Sequence, residues 1–335
     1  MHEVDAGERQ SFAWATGAKR TGLSAEGNCL RIKRPRSPMA HGQRARHCEN
    51  GQMSVQQITP ELRQWIIAQA QAGHKPEAVL AAMQASGWAQ DVAVVALEET
   101  LTGFLVEHAK AAGLPPPTPV PGPDLMESPL WLDAGDRRVQ VLMSMSQPRV
   151  VVFGGLLSDD ECDTMVALAR PRLTRSETVQ TETGASEVNP VRTSSGMFFG
   201  REENELCARI ENRIARLLEW PLVNGEGLQI LHYLPGAEYK PHHDYFDPAK
   251  AGTPSIVARG GQRVGTVVMY LNAPERGGGT VFPDVALEVA PIKGNAVFFS
   301  YDRPHPITRT LHGGAPVIAG EKWVATKWLR EREFK

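Results

Sequence analysis

The stretch Tyr239-Lys240-Pro241-His242-His243-Asp244 contains an imidazole and a carboxylate two residues apart. Alternation along an extended backbone puts such residues on one side, so His242 and Asp244 can hold one ion together. His312 follows 68 residues after Asp244, in Leu311-His312-Gly313-Gly314. Two imidazoles and one carboxylate form a facial triad that leaves positions open on Fe(II), which is what oxygen chemistry requires. A tripeptide of this kind alone is common by chance; its company gives it weight.

Lys322 follows His312 by ten residues and opens the run Lys322-Trp323-Val324-Ala325-Thr326-Lys327-Trp328. In a strand Lys322, Val324, Thr326 and Trp328 share a face. If that face is interior, an ammonium there needs an anion, and a dicarboxylate bound to the metal at its other end would supply one. The plainer reading of Lys322 is a solvated edge charge.

These residues need a scaffold. From about Val150 onward the chain carries short β-rich runs, Val150 to Phe153, Leu228 to Leu234, Val264 to Leu271, Ala296 to Ser300 and Lys322 to Leu329, punctuated by Gly and Pro. Two helical patterns interrupt them: Ser158 with Glu161 forms a capping box before Cys162, Met165, Val166 and Ala169, and Leu206, Ile210, Ile214 and Leu217 mark the second. This pattern predicts a β-sandwich or jelly roll supported by helices. The glycines at 277–279 read as a turn, since no helix start follows them.

Upstream, Thr59-Pro60 is an N-cap and first-turn proline, and apolar residues at helical spacing follow in three segments: Leu62, Trp65, Ile66 and Ala70; Val79, Leu80 and Met83; Val94, Leu97, Leu101 and Phe104. A small three-helix bundle over 53–111 is expected, free to bind a protein partner. Leu114 to Pro123 holds six prolines, so 112–129 is expected to be a semi-rigid extended linker to a catalytic domain over 130–335. Residues 1–52 carry nine Lys or Arg against five Asp or Glu without apolar periodicity; they read as disordered, with a nucleic-acid or targeting tail as the sharper alternative and Met53 as a candidate start.

At 335 residues, 41% hydrophobic and with net charge -2, the chain can bury a large core and has no electrostatic footprint for a nucleic-acid backbone. Cys29, Cys48, Cys162 and Cys207 show no paired spacing, against a disulfide framework or structural zinc. No apolar run reaches the ~18 to 20 residues of a membrane span. A soluble, cytoplasmic protein is expected.

The segments Glu226-Gly-Leu-Gln-Ile-Leu-His-Tyr233, Tyr239-x-x-His242-x-Asp244, Arg263-x-x-Thr266 with Tyr270-Leu-Asn, Gly278-Gly-Thr280-Val-Phe-Pro283, and His312-x3-Pro316-Val-x2-Gly320-Glu-Lys322-Trp, in that order, resemble the prolyl 4-hydroxylase catalytic domain over about residues 148–331. The resemblance implies a double-stranded β-helix with iron at one mouth. It also implies that Tyr233 and Thr280 join Lys322 in holding 2-oxoglutarate, and that Arg192, Ser194, Glu226, Tyr239, Arg263 and Trp328 line a groove for a peptidyl proline. The implied reaction hydroxylates that proline at C4, turns 2-oxoglutarate and O₂ into succinate and CO₂, and is sustained by L-ascorbate. Two departures stand out: His243 lies between the ligands and should face away, and Arg330 stands where some members carry a substrate-contacting histidine. The loops Thr174 to Ser195 and Pro248 to Gln262 could close over substrate. Other readings remain: the same chemistry on another residue or a free amino acid, a non-catalytic module built on the bundle, or the triad loaded with zinc for hydrolysis.

Overall fold

The computed structural model describes residues 56–175, 178–179, 186–187 and 193–335. The basic segment 1–52 and Arg192 lie outside them, as does most of the first expected lid loop. The chain divides into two compact units, Met1–Phe104 and Leu105–Lys335.

In the first unit, helices Pro60–Gln71 and Pro76–Ala85 precede Gln90–Ala111, which runs on past the boundary at Phe104. Thr59 caps the first helix by accepting from Leu62 N at 3.3 Å. Gly73 and Gly87, both at positive φ, turn the chain out of the first two. Ile66, Val79, Met83, Ala93, Ala96 and Leu97 form the core, with Leu62, Leu80 and Leu101 packed against it; of the expected stripes, Trp65 is exposed and Val94 only partly buried, because the third helix turns Ala93 and Ala96 inward instead.

The second unit is built on a nine-stranded antiparallel sheet. In spatial order its strands are Trp131–Asp133, Arg138–Met145, Arg149–Gly154, Ala296–Ser300, Arg263–Tyr270, Lys322–Arg330, Leu228–Tyr233, Ser195–Phe199 and Thr174–Arg175. A smaller sheet, Leu287–Val289, Thr280–Phe282, His312–Gly314 and Tyr239–His242, completes a double-stranded β-helix. Alternate residues of the large sheet enter different cores. Val151, Phe153, Val267, Met269, Phe298 and Ala325 pack with the helices Asp159–Ala169 and Glu205–Leu217. Val150, Val152, Leu231, Val297, Phe299 and Val324 pack with Phe282 and Val289 of the small sheet. With both faces covered, every residue of Lys322–Arg330 is buried. The buried thiols of Cys162 and Cys207 belong to the helix-side core.

The helix Asp159–Ala169 opens on the expected capping box: Glu161 N donates to Ser158 Oγ at 3.1 Å and Ser158 N to Glu161 Oε2 at 2.9 Å, a cap worth about 1 kcal/mol. Glu161 has a second task. Arg213 of the neighbouring helix, its side chain 2% exposed, donates to Glu161 at 2.8 Å and to Asp136 at 2.5 Å, and so ties helix to helix and to the sheet edge.

Part of the proline-rich segment is laid along this unit rather than spanning open solvent. Thr118 N donates to Asp302 O at 2.7 Å, Gly122 N to Leu218 O at 3.0 Å, and Arg303 Nη1 to Pro115 O at 3.3 Å. Prolines cannot donate, so the Pro115 carbonyl and the amides of Thr118 and Gly122 make these bonds. Within the expected loop Pro248 to Gln262, residues Thr253–Ala258 form a short helix started by Pro254 and stopped near Gly260 and Gly261. Six residues are too few for apolar periodicity to reveal it.

Candidate active site

The small sheet brings the two imidazoles together. His242 and His312 are register partners on adjacent antiparallel strands. The Nδ1 of each donates to a backbone carbonyl two residues earlier, His242 to Lys240 O at 2.9 Å and His312 to Thr310 O at 3.0 Å. Those bonds fix the tautomer and leave each Nε2 lone pair free. Tyr239 stacks on His242 with ring centroids 3.7 Å apart, further limiting its rotation.

The strand ends at His242, and Asp244 is reached through a bend rather than by strand alternation. Its carboxylate nevertheless returns to the imidazoles, with Oδ1 3.5 Å from His242 Nε2 and Oδ2 3.5 Å from His312 Nε2. One ligand atom from each of the three residues lies within 4.8 Å of the others. His243 points elsewhere and stacks on Tyr245.

The electrostatics suit a cation. Burial alone would raise the Asp244 pKa, but the two imidazoles and Arg263 hold it well below the usual carboxylate range. Burial lowers His312 to about 4, so it is neutral and able to coordinate near neutral pH. Two neutral nitrogens and one carboxylate converging on one corner are the donor set that Fe(II) takes with positions to spare.

That corner opens into a cavity between the sheets. Tyr233, Tyr239, Thr280, Lys322 and Trp328 line it, together with the three ligand candidates; Leu231, Val268 and Val324 supply apolar wall. Lys322 is 4% exposed, and burial, partly offset by the charge of Glu288, lowers its ammonium to about 8. It is the register partner of Tyr233, and its Nζ lies 5.4 Å from the centre of that ring. Thr280 faces it from the small sheet, its hydroxyl fixed by Tyr270 Oη donating at 2.8 Å. Gly278 has φ +72°, and a Cβ there would come within 3.1 Å of Lys322 Cδ, so the turn glycines also leave room for the lysine stem.

Other expected groove residues sit behind this lining. Arg263 pairs bidentately with Glu226 at 2.7 and 2.9 Å and lies flat on Trp328, its Cζ 3.8 Å from the ring centre. The two charges thus brace the indole from outside the cavity wall. Arg330, 2% exposed, is held between Phe246 and Phe334 and donates to Ile256 O at 3.0 Å. Ser194 is buried beside the strand Ser195–Phe199 and does not line the cavity.

Two residues to which the sequence attached no role stand next to the carboxylate. Thr266 Oγ1 donates to Asp244 Oδ2 at 2.7 Å and lies 3.0 Å from Tyr301 Oη. Threonine and tyrosine are ordinary strand residues, and only the inward alternation of Thr266, Val268 and Tyr270 hinted at a shared face.

Comparison with known proteins follows the same lines. A profile of the 2OG-Fe(II) oxygenase superfamily matches residues 228–330. The chain is 40% identical over 221 residues to a probable prolyl 4-hydroxylase 8 of Arabidopsis thaliana, covering 60% of this chain and 74% of that protein. It is 40% identical over 223 residues to prolyl 4-hydroxylase 5 of the same plant, with the same coverage. Among solved structures, the viral collagen prolyl hydroxylase of Paramecium Bursaria Chlorella virus-1, a 2OG complex, aligns at 30% identity and a TM-score of 0.42, over 54% of this chain and 94% of that one.

Proposed function

The chain belongs to the prolyl 4-hydroxylase family of 2-oxoglutarate- and Fe(II)-dependent oxygenases, and on that premise we propose that it hydroxylates a proline within a polypeptide at C4. In the reaction 2-oxoglutarate and O₂ become succinate and CO₂. The observation that carries this reading is a single cavity with three converging ligand atoms on one wall and the buried ammonium of Lys322 on another.

In this reading His242, Asp244 and His312 hold the iron. When bound, the metal supplies a point of attachment for the keto acid and activates O₂ for attack on a C–H bond. Lys322 receives the far carboxylate of 2-oxoglutarate, with the hydroxyls of Tyr233 and Thr280 beside it. Leu231, Val268 and Val324 keep that end dry, which strengthens the charge pairing. Tyr239 and Trp328 give flat walls for a pyrrolidine ring, and Arg263 with Glu226 keeps the indole in place. Arg192 belongs to the same groove on the family resemblance.

We assign L-ascorbate as the reductant that returns iron to the ferrous state between productive cycles. The helical unit recruits a protein partner, a role that the half-exposed Trp65 and Val95 would suit. Two free, buried cysteines fit a reducing compartment such as the cytoplasm.

The test incubates proline-containing peptides, free proline and lysine-containing peptides with the protein, Fe(II), 2-oxoglutarate and ascorbate. One added oxygen atom on peptidyl proline, with stoichiometric succinate, is expected. Oxygen appearing only on lysine or free amino acid would reject the prolyl substrate, and metal-dependent hydrolysis without succinate would favour a zinc enzyme.

A further inference from the structure

Each imidazole at the site is oriented by a backbone carbonyl of its own strand. Asp244 has no such support, because its strand has already ended and a bend carries it. What meets its carboxylate is a side chain from the middle of the large sheet. Thr266 lies on the strand Arg263–Tyr270 between Phe299 and Trp328, its register partners on either side, and is fully buried. Its hydroxyl is 2.7 Å from Asp244 Oδ2.

The directions of these bonds follow from proton counting. An ionised carboxylate only accepts, so Thr266 gives its single proton to Asp244. The 3.0 Å contact with Tyr301 must then be donated by the phenol. Tyr301 is 2% exposed, and burial together with the Asp244 charge raises its pKa well above the usual phenol value, so it keeps that proton. Packing does not explain either hydroxyl. Valine and phenylalanine would fill the same space without the cost of burying polar groups, which is of order 1–3 kcal/mol when unpaired.

We propose that Thr266 and Tyr301 are positioning residues that commit Oδ2 of Asp244 to the protein and present Oδ1 as its metal-binding atom. The proposal rests on His242, Asp244 and His312 being the cation site. A carboxylate bound through one oxygen occupies one position on the metal, whereas one free to swing and bind through both would take a second, needed by co-substrate or O₂. Thr266 acts on the carboxylate directly, and Tyr301 acts through Thr266.

The experiment measures Mn(II) binding to the full chain, without 2-oxoglutarate or O₂, by calorimetry and by the Mn(II) electron paramagnetic resonance spectrum. Thr266→Val should bind about ten- to a hundredfold more weakly, the usual effect of losing an outer partner of a metal ligand. Thr266→Ser, which keeps the hydroxyl, should stay within a few-fold of the unaltered chain. Tyr301→Phe should weaken binding less than Thr266→Val does, and should add nothing in the double variant. Thermal unfolding of the metal-free proteins establishes that each is folded; Thr266→Ala replaces Thr266→Val if the latter is not.

Two failures can be told apart. If the unaltered chain binds no Mn(II), or His312→Ala binds it as well, the site itself is misplaced and the proposal falls with it. If His312→Ala loses binding while Thr266→Val does not, or if Tyr301→Phe weakens Thr266→Val further, the site stands and the relay is overturned.

Discussion

His312 faces His242 directly across two paired strands, with ring centroids 4.5 Å apart at 52°. Their spacing is therefore set by the backbone ladder, and neither ring can be replaced by a neighbour on its own strand. His312→Ala should abolish succinate formation and most iron binding, while His243→Ala, whose ring stacks on Tyr245 away from the cavity, should retain both. Iron content by mass spectrometry and turnover by succinate release check this; the reverse pattern would mean that His243 is the ligand.

Lys322→Ala should raise the concentration of 2-oxoglutarate required for turnover roughly a hundred- to several-thousandfold, since a carboxylate left unpaired in a buried site costs about 3–5 kcal/mol. Iron should remain bound. An unchanged requirement would show that the ammonium is not the carboxylate's partner.

The same lysine predicts a pH dependence. Burial lowers its pKa to about 8 in the free protein, and an arriving carboxylate favours the charged form. Binding should take up a proton above pH 8, and affinity should fall up to tenfold per pH unit there. Calorimetry in buffers of different ionisation enthalpy measures the uptake directly. Stability of the free protein has the opposite slope: the unfolded chain binds the extra proton between about 8 and the ordinary lysine value near 10.4, so the penalty for burying the charge lessens as pH rises across that window.

Arg213→Ala removes the buried guanidinium that joins Glu161 to Asp136, leaving Glu161 with Arg137 at 3.3 Å, and should cost about 1–3 kcal/mol, a fall in Tm of roughly 3–10 °C for a unit of this size. Burial would raise the Glu161 carboxyl, but Arg213 and the Ser158 amide hold it below the usual range; Arg213 does the same for Asp136. Between the unfolded values near 4 and the lower folded ones the folded state binds fewer protons. Stability from this cluster is thus present above about pH 4 and lost as pH falls, and the variant should show a shallower acid limb in thermal unfolding.

A chain beginning after Ala111 should keep turnover of 2-oxoglutarate, because every candidate ligand lies in the second unit. Extending the deletion through Gly122 removes the backbone bonds to Asp302 and Leu218 and should lower the Tm. Equal Tm values for the two truncations would show that those contacts contribute nothing.

That His242, Asp244 and His312 would converge, and that Lys322 would be buried on the same strand face as Trp328, was legible because these types are costly to bury without purpose. The helices Asp159–Ala169 and Glu205–Leu217 were legible from caps and apolar stripes. What could not be read is where long side chains end up. An arginine at 263 looks the same in sequence whether it reaches into a groove or lies on the back of Trp328, and its partner Glu226 is 37 residues away. Asp244 reached the site by a bend that alternation does not describe, and the hydroxyls of Thr266 and Tyr301 gain meaning only from what stands opposite them.

The placement of the two cores bears on how the protein survives its own chemistry. Oxygen activated at iron attacks whatever is near when substrate is missing, and thiols are the softest targets in a chain. Cys162 and Cys207 lie on the helix side of the large sheet, whereas the cavity lies on the other, and burial raises both thiols to about 11. They are therefore kept as unreactive thiols, with a wall of strands between them and the source of oxidant. Uncoupled turnover should scar cavity residues, Trp328 and Tyr239 among them, before it touches either sulfur, an order that peptide mapping of self-inactivated protein would reveal.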